Sequence, residues 1–324
     1  MPGHKTDKRD SAWICKLLLA GLLKPSYIPP KAQRELRDLT RYRVKLIQQI
    51  ASEKNRIIRF LEESNVKLSC VLSDTQGVVA TKLINLLCEG KQITMEDIDK
   101  VYHNKLQCTK EELYEACNGV MSENTIMLLG IIRKNIAHTQ ALIESINQRI
   151  KSALSEYENV IELLKSVPGF NQKTVEDLVA EIGFDMSVFP TEKHLASWAG
   201  MSPGNNESGG KKKSGRITHG NKQVKKTLTE SAWAASRTKN TFYSARYHRL
   251  AARRGKKRAL IAIGHSLLKS AYHILNENVP YKELGSDYLK DKIESKRKKY
   301  LKNELEKLGY KVNLSAIAVT EIAS

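Results

Sequence analysis

Apolar residues recur at heptad spacing along two long segments of the chain. The first run is interrupted by Arg43 and Glu53, and the second only by Thr139. The first run comprises Leu36, Leu39, Leu46, Ile50, Ile57 and Phe60; the second comprises Leu129, Ile132, Ile136, Ile143, Ile146, Ile150, Ala153, Tyr157, Val160 and Leu164. These runs predict two long helices that pair as an antiparallel coiled-coil hairpin, dimerise, or do both; an ordinary helical bundle is the alternative.

The stretch between these runs is less periodic and carries two helix starts. Thr94 precedes Met95-Glu96-Asp97 in the manner of a capped helix, and a further helix is expected from Thr109 to Cys117. We therefore expect a helical insertion at the far end of the hairpin, at about residues 65–122.

A Pro168-Gly169 turn joins the second run to an amphipathic helix that ends at Gly183. This predicts a helix-hairpin-helix, whose turn amides would hold a duplex backbone without reading its sequence; a plain helix-turn-helix junction is the alternative. Asn171 stands where left-handed backbone is common, which Asn tolerates. The candidate backbone contacts here are Gly169, Asn171 and Lys173.

Further helices are predicted in the second half of the chain. They run from Thr191 to Trp198, from Asn221 to Arg237, from Lys256 to Leu275 and, as a basic helix, from Tyr288 to Leu308. A short strand is possible from Gly309 to Leu314.

The charge of the chain points to a polyanionic partner. The 324 residues contain 54 Lys and Arg against 35 Asp and Glu, a formal net charge of +19. No segment approaches the roughly 18 apolar residues of a membrane-spanning helix, so nucleic acid is favoured over an acidic membrane surface. The five cysteines lack paired C-x-x-C spacing, which indicates reduced and mostly buried thiols in a cytoplasmic protein.

The most informative segment runs from Gly200 to Asn221. It places Ser208 beside glycines and a block of lysines, as a nucleophile aimed at a phosphodiester requires, although a flexible basic linker has a similar composition. The predicted helices on both sides favour an ordered loop. The candidate phosphate contacts in and beyond the loop are Gly209, Gly210, Lys211, Lys212, Lys213, Arg216, Lys222, Arg253, Arg254, Lys256 and Lys257.

The tryptophan and histidine side chains near this loop are expected to have structural roles. Trp198 and Trp233 are expected to anchor the core around the loop, with base stacking as the alternative. His265 and His273 are expected to pack within a helix, and His219 to be incidental.

A serine hydroxyl needs activation by a base or a metal, and no neighbour of Ser208 in the sequence supplies it convincingly. Asp7 and Asp10 lie three residues apart at the start of a predicted helix, a spacing suited to a divalent metal. An ordinary helix start with Thr6 as N-cap and acids in the first turn explains the same residues.

These motifs together resemble those of a known family, the DEDD transposases of the "one-ten" group of bacterial insertion sequences, which act as RNA-guided serine recombinases. The resemblance spans essentially the whole chain, and the serine loop is its most specific part. The residues that carry it are Lys5-Thr6-Asp7 with Asp10, Ser166-Val167-Pro168-Gly169, Gly200 with Pro203-Gly204, Glu207-Ser208-Gly209-Gly210-Lys211, Gly215-Arg216-Ile217-Thr218 with Gly220-Asn221, and Leu308-Gly309-Tyr310-Lys311-Val312.

The resemblance implies a metal, a nucleophile and partners. In that family a RuvC-like domain of RNase H fold supplies four acidic ligands for Mg²⁺, and a helical transposase domain supplies a serine. Asp7 and Asp10 look like the last two acids, and Ser208 looks like the serine that becomes linked to DNA. The implied partners are element-end and target DNA, a structured guide RNA, and further copies of the chain. The coiled coil would join these copies as a dimer or tetramer, in which the metal site of one subunit meets the serine of another. The implied location is the bacterial cytoplasm, at the nucleoid.

We accordingly expect a mainly α chain in four parts. Residues 1–30 would be the end of a RuvC-like α/β domain, 31–165 the coiled-coil hairpin with its insertion, 166–275 the helical transposase domain with the helix-hairpin-helix, and 276–324 a basic helix and tail. Because six residues precede Asp7, and the family's first two acids lie upstream of this segment, we expect an N-terminally truncated chain. The first hypothesis is a DNA transposase or recombinase. A non-catalytic DNA- and RNA-binding remnant is the alternative, and a basic coiled-coil structural protein is a third possibility.

Overall fold

The computed structural model describes residues 6–23, 27–75, 77–204, 206–214 and 217–313; for residues 206–208, 212–214 and 291–293 only the backbone is described. The chain is mainly helical, which confirms the predicted class. It divides into two compact units, one formed by residues 35–158 and the other by residues 1–34 together with 159–324.

The helices include those predicted from the sequence. They are α1 (Asp7–Leu19), α2 (Lys31–Glu63), α3 (Leu68–Val71), α4 (Val78–Cys88), α5 (Met95–Val101), α6 (Lys110–Cys117), α7 (Glu123–Ala153), α8 (Glu158–Lys165), α9 (Gln172–Ile182), α10 (Glu192–Trp198), α11 (Lys222–Arg237), α12 (Phe242–Arg254), α13 (Lys256–Glu277) and α14 (Tyr288–Lys307). Helices α3, α4 and α12 were not predicted individually. None of the helices in the described part of the chain is long and apolar enough to cross a bilayer.

Helices α2 and α7 pack side by side in the unit formed by residues 35–158. Leu46 and Ile50 of α2 pack against Ile143 of α7, with the half-buried Ile136 and Ile146 at the edge of this cluster. Arg43 of α2 meets Asn147 of α7, while Glu53, ten residues further along α2, meets Asn135, twelve residues earlier in α7, so the two helices run in opposite directions. The heptad spacing of apolar residues in both helices accounts for this shared seam.

Two charged residues lie inside this seam, where the sequence predicted interruptions. Arg43 is 3% exposed and Glu53 is 7% exposed. Arg43 Nη1 donates to Asn147 Oδ1 at 3.1 Å, and Asn135 Nδ2 donates to Glu53 Oε1 at 3.3 Å. Each buried charge therefore has a polar partner on the opposite helix, and Glu53 also accepts from Arg56 Nη1 of its own helix at 3.0 Å, which lowers the cost of burial.

The second heptad run does not continue as one helix. Helix α7 ends at Ala153, a 3₁₀ turn covers Ser155–Tyr157, and α8 begins at Glu158. Ala153 and Tyr157, which the heptads assigned to the seam, are exposed, whereas Leu154 is buried. The tighter turn rotates the side-chain positions, and the predicted seam therefore ends near Ile150.

Helices α3 to α6 form the insertion and share one apolar core with the ends of α2 and α7. Thr94 and Thr109 each accept from the third amide of the following helix and complete a capping box, as the sequence predicted for Thr94. Cys88, Cys108 and Cys117 are buried here, and burial raises the pKa of Cys117 to about 12. Cys15 and Cys70 are exposed, so three of the five cysteines are buried, in agreement with the expectation that most would be.

Helix α13 is the central element of the other unit and packs against α10, α11 and α12, while α9 packs against α11. A side chain at Gly264 would meet the Met201 Cε at 2.8 Å and the Leu228 carbonyl oxygen at 3.2 Å, so this glycine permits the close approach of α11. The buried face of α13 comprises Ala259, Ile263, Gly264, Leu267, Leu268, Ala271, Tyr272 and Ile274.

The N-terminal end of the described chain leaves its expectation untested, and the C-terminal end lacks the expected strand among its described residues. Residues 6–23 contain one helix and no strand, so the RuvC-like remnant stays a prediction. The described residues 309–313 form no strand, and Leu314 lies outside the described part. Helix α14 ends at Lys307, close to its predicted end.

Candidate nucleic-acid interface

Ser208 lies in a β-hairpin between α10 and α11. Strand β1 (Asn206–Ser208) pairs antiparallel with β2 (Lys211–Ser214), and Ser208 pairs with Lys211 across the turn. Gly209 has a φ of +58° and Gly210 a φ of +72°. Positive φ at both central residues is the requirement of a two-residue type I′ turn. The segment is therefore a hairpin rather than the glycine-rich loop that the sequence predicted.

The tip of this hairpin is open. A side chain at Gly209 or Gly210 would meet no atom within 4 Å among the described residues, and Gly209, Gly210 and Lys211 are exposed. The glycines are therefore required by backbone conformation and not by packing. For Ser208, Lys212 and Lys213 the description is limited to the backbone, and Arg216 lies outside the described residues.

The base of the hairpin is closed by a contact between two glycines. A Cβ on Gly220 would lie 2.2 Å from the Gly200 amide nitrogen, and a Cβ on Gly200 would lie 2.7 Å from the Gly220 nitrogen. The Thr218 amide donates to the Ser202 carbonyl at 3.1 Å. Because no side chain fits between the two segments, glycine at both positions fixes where the hairpin leaves the helical core.

Asn221 connects the end of the hairpin to two helices. Its Oδ1 accepts from the Gln223 amide at 2.9 Å and the Val224 amide at 3.3 Å, which caps α11. Its Nδ2 donates to Glu181 Oε2 on α9 at 2.7 Å, and Glu181 is 2% exposed. One side chain thus joins α9, α11 and the hairpin.

His265 on α13 holds the start of the hairpin segment. Its Nδ1 donates to the Met201 carbonyl at 3.0 Å, and Met201 is 1% exposed. The sequence predicted packing for His265 but did not identify this contact. The sequence analysis also did not identify Glu181 as an anchor. The available signal was its position between two apolar residues, Ala180 and Ile182, on a helix that was predicted to be amphipathic.

The turn between α12 and α13 carries a cluster of cations. Gly255, with a φ of +83°, ends α12 and precedes α13. The predicted contacts Arg253, Arg254, Lys256 and Lys257 are exposed, as is Lys222 at the start of α11. From Lys222 to Arg258 the sequence contains twelve Lys or Arg residues and one acid, Glu230. Such an imbalance produces a strongly positive surface.

The predicted helix-hairpin-helix turn packs tightly on α11. A Cβ on Gly169, which has a φ of +90°, would lie 2.4 Å from the Ser231 carbonyl oxygen. Asn171 has an extended backbone with a φ of −107° and caps α9, accepting from the Thr174 amide at 2.8 Å. The prediction that Asn171 adopts left-handed backbone is therefore wrong, because a helix cap requires extended geometry. Lys173 is exposed in the first turn of α9.

Asp7 and Asp10 lie in the first turn of α1. Thr6 caps this helix and accepts from the Arg9 amide at 3.4 Å, so the two acids also compensate the helix dipole. The part of the chain that the structure describes contains no group of three or more His, Cys, Asp or Glu residues that could hold a metal. These two carboxylates alone do not provide the six oxygen ligands that Mg²⁺ requires.

Two stretches of the chain match transposase families. Residues 161–248, which contain the hairpin, match the family described as "Transposase IS116/IS110/IS902 family". Residues 1–66, which contain Asp7 and Asp10, match a transposase family of the DEDD type named for IS110.

Curated relatives agree with these matches. The pilin gene-inverting proteins of Moraxella bovis and Moraxella lacunata are each 28% identical over 185 residues, which cover 55% of this chain and 55% of theirs. An uncharacterized 43.6 kDa protein of insertion element IS110 from Streptomyces coelicolor is 26% identical over 267 residues, which cover 75% of this chain and 64% of its own. The chain thus spans little more than half the length of the Moraxella proteins. Residues 1–66 and 161–248 are thus similar to transposase domains of the IS110 family.

Proposed function

We propose that this chain takes part in DNA transposition or site-specific recombination, with Ser208 as the nucleophile. The observation that carries the proposal is the position of Ser208, directly before the open two-glycine turn of a hairpin rich in lysine. The match of residues 161–248 to a transposase family supports it. The Moraxella relatives are named for inverting a pilin gene, which is itself a DNA recombination.

The proposed step is a transesterification at phosphorus. The Ser208 Oγ attacks a DNA phosphodiester, a serine–phosphate bond forms, and the bond from phosphorus to one deoxyribose oxygen breaks. The serine gives up its proton, and the departing oxygen takes one up, so the number of phosphodiester bonds is conserved. The positive charge of the Lys211–Lys213 segment would stabilise the charge that develops on the phosphate oxygens.

The hairpin anchors would contribute by orientation. Asn221 is hydrogen-bonded to Glu181, and His265 to the Met201 carbonyl, so both chain segments at the base of the hairpin are attached to the helical core. Catalysis depends on such positioning because the reaction rate falls steeply when the nucleophile is displaced by about 1 Å.

The DEDD type of the family that matches residues 1–66 suggests use of a divalent metal. Asp7 and Asp10 are candidates for two of its ligands, with Mg²⁺ as the proposed ion. Since these two carboxylates do not complete a site, no step of the proposal passes through the metal.

The proposed partners follow from charge and family. DNA is the first, and the basic segment from Lys222 to Arg258 is its proposed contact. A structured guide RNA and further copies of the chain, associated through the coiled coil, remain proposals on family resemblance.

Covalent trapping tests the nucleophile. The full chain is incubated with Mg²⁺, with a plasmid carrying its own coding segment and flanking DNA, and with RNA transcribed from those flanks. A protein–DNA adduct is then sought on denaturing gels, and its site is mapped by mass spectrometry. We expect an adduct at residue 208 in the unaltered chain.

Ser214 provides a matched control because it lies in the partner strand of the same hairpin. Ser208→Ala is expected to abolish the adduct, and Ser214→Ala to retain it. An adduct that survives Ser208→Ala would reject the assigned nucleophile. The absence of any adduct in the unaltered chain would favour the alternative, a nucleic-acid-binding protein without this chemistry.

A further inference from the structure

An indole ring is exposed within the basic segment from Lys222 to Arg258. Trp233 on α11, which the sequence predicted to anchor the core, is 40% exposed. Exposure of so large an apolar ring costs free energy that burial would recover, so it is notable on a helix whose opposite face is well packed. The buried face of α11 comprises Val224, Leu228, Ser231, Ala232, Ala235 and Ser236.

Two neighbours hold this ring in place. The Arg237 guanidinium lies 4.5 Å from the centre of the Trp233 ring, one helical turn along α11. The Tyr247 ring of α12 meets the indole edge-on, with 6.3 Å between centroids and an interplanar angle of 88°. Tyr247 is itself only 6% exposed. The buried Tyr247 thus contacts the indole edge-on, and the exposed Arg237 guanidinium lies over the ring.

The surrounding cations are not neutralised by the protein. In the described part of the chain no carboxylate forms an ion pair with Arg237, Arg246 or Arg249. Burial lowers the pKa of Arg246, and the positive charge of Arg249 acts in the same direction. Helix α12 contains four arginines, one histidine and no acid. A polyanion would supply the missing negative charge.

We propose that Trp233 and Arg237, with Tyr247 supporting the indole from beneath the surface, form a stacking site for an unpaired nucleobase, whose strand the arginines of α12 hold by its phosphates. An aromatic ring and a guanidinium plane both stack on bases, and a base can reach them only when it is not enclosed in a duplex. The site therefore selects single-stranded over double-stranded nucleic acid. It rests on the proposed nucleic-acid partner, but it does not require Ser208 to be a nucleophile.

Intrinsic fluorescence of Trp233 tests the contact directly. Trp13→Phe with Trp198→Phe leaves Trp233 as the remaining member of the three tryptophans. This protein is titrated with oligothymidylate, with oligouridylate and with a thymidylate–adenylate duplex. Either single strand is expected to quench the emission and to reduce quenching by acrylamide, and the duplex is expected to do neither. The two single strands decide whether DNA or RNA is preferred.

Substitutions separate stacking from charge. Trp233→Ala is expected to weaken single-strand binding about tenfold and leave duplex binding and its salt dependence unchanged, whereas Trp233→Phe should restore most of the loss. Arg253→Ala is the charge control. It should weaken the binding of both the single strand and the duplex, and it should reduce the salt dependence of both affinities.

Two results would overturn the stacking site. One is an unchanged Trp233 emission when a single strand is bound. This measurement uses a chain that keeps Trp233, so it still tests the site if Trp233→Ala fails to fold. The other is an equal loss of single-strand and duplex affinity in Trp233→Ala. The two proposals can fail separately. If single strands still quench Trp233 emission in a chain with Ser208→Ala, and the unaltered chain forms no covalent adduct, the stacking site is retained and the proposed nucleophile is rejected.

Discussion

The base and the tip of the serine hairpin use glycine for opposite reasons. At the base, Gly220 is needed because a Cβ would lie 2.2 Å from the Gly200 nitrogen. At the tip, Gly209 and Gly210 have open space around them but adopt positive φ. The base is fixed by its surroundings and the tip by its own backbone. One short segment thus joins a rigid attachment to an accessible end, which suits a group that must reach a bound strand.

The largest effect is expected from Gly220→Ala. The added methyl group cannot fit against the Gly200 backbone, so the free energy of unfolding should fall by about 3 kcal/mol. Thermal and denaturant unfolding measure this loss. Gly285→Ala is a control for glycine loss elsewhere in the same unit, because its site has no atom within 4 Å among the described residues. Since Gly285 has a φ of +79°, a cost of about 1 kcal/mol from backbone strain is expected there. Equal losses in the two variants would refute the steric account.

Glu181→Ala should have the next largest effect. It removes the acceptor of the Asn221 Nδ2 in a buried position, and an unsatisfied buried donor costs about 1–3 kcal/mol. Glu181→Gln keeps an oxygen at the same place and should recover most of the stability. If Gln were as destabilising as Ala, the negative charge rather than the hydrogen bond would be the stabilising feature.

His265→Ala should lower the free energy of unfolding by about 1 kcal/mol, since it removes the hydrogen bond to the Met201 carbonyl. His273→Ala is the matched control on the same helix. Its Nδ1 pairs with Glu277 at 2.8 Å on the exposed side of α13, where such pairs contribute little. Chemical denaturation of both variants compares the two histidines, and a greater loss from His273→Ala would contradict the anchoring role.

Gly210→Ala should have the smallest effect on global stability. The strain at a φ of +72° is about 1 kcal/mol, and a hairpin tip without packing contacts can relieve it by opening locally. Hydrogen exchange of the strand amides should therefore accelerate while the melting temperature changes little. Adduct formation should fall as well. Gly210→Asn should restore both, because Asn tolerates left-handed backbone. A large drop in melting temperature would show that the tip is not independent of the base.

The sequence predicted helices well where local chemistry determines them. Thr94, Thr109 and Asn221 cap the helices that were predicted to start beside them. The antiparallel contact of α2 and α7 follows from apolar spacing that both helices share. These features depend on residues a few positions apart, which a sequence displays directly.

Features that depend on distant residues were missed or misread. The hairpin was interpreted as a phosphate-cradling loop because Gly209-Gly210 suits either structure. The pairing of Glu181 with Asn221 joins residues forty positions apart, and Gly169 faces Ser231 on another helix. Trp233 was assigned to the core because its apolar character is visible in sequence, whereas its exposure depends on how α11 and α12 pack. The candidate nucleophile and metal ligands stay predictions.

The charges buried between α2 and α7 limit the other pairings that these two helices can adopt. Sliding one helix by a heptad would separate Arg43 from Asn147 and Glu53 from Asn135. A parallel pairing of two copies of α2 through the same positions would bring Arg43 against Arg43 and Glu53 against Glu53. Both arrangements strand a charge in an apolar environment, which is strongly unfavourable. The seam therefore disfavours these two arrangements, whereas an exchange of α7 between two copies would keep both charge–amide pairs.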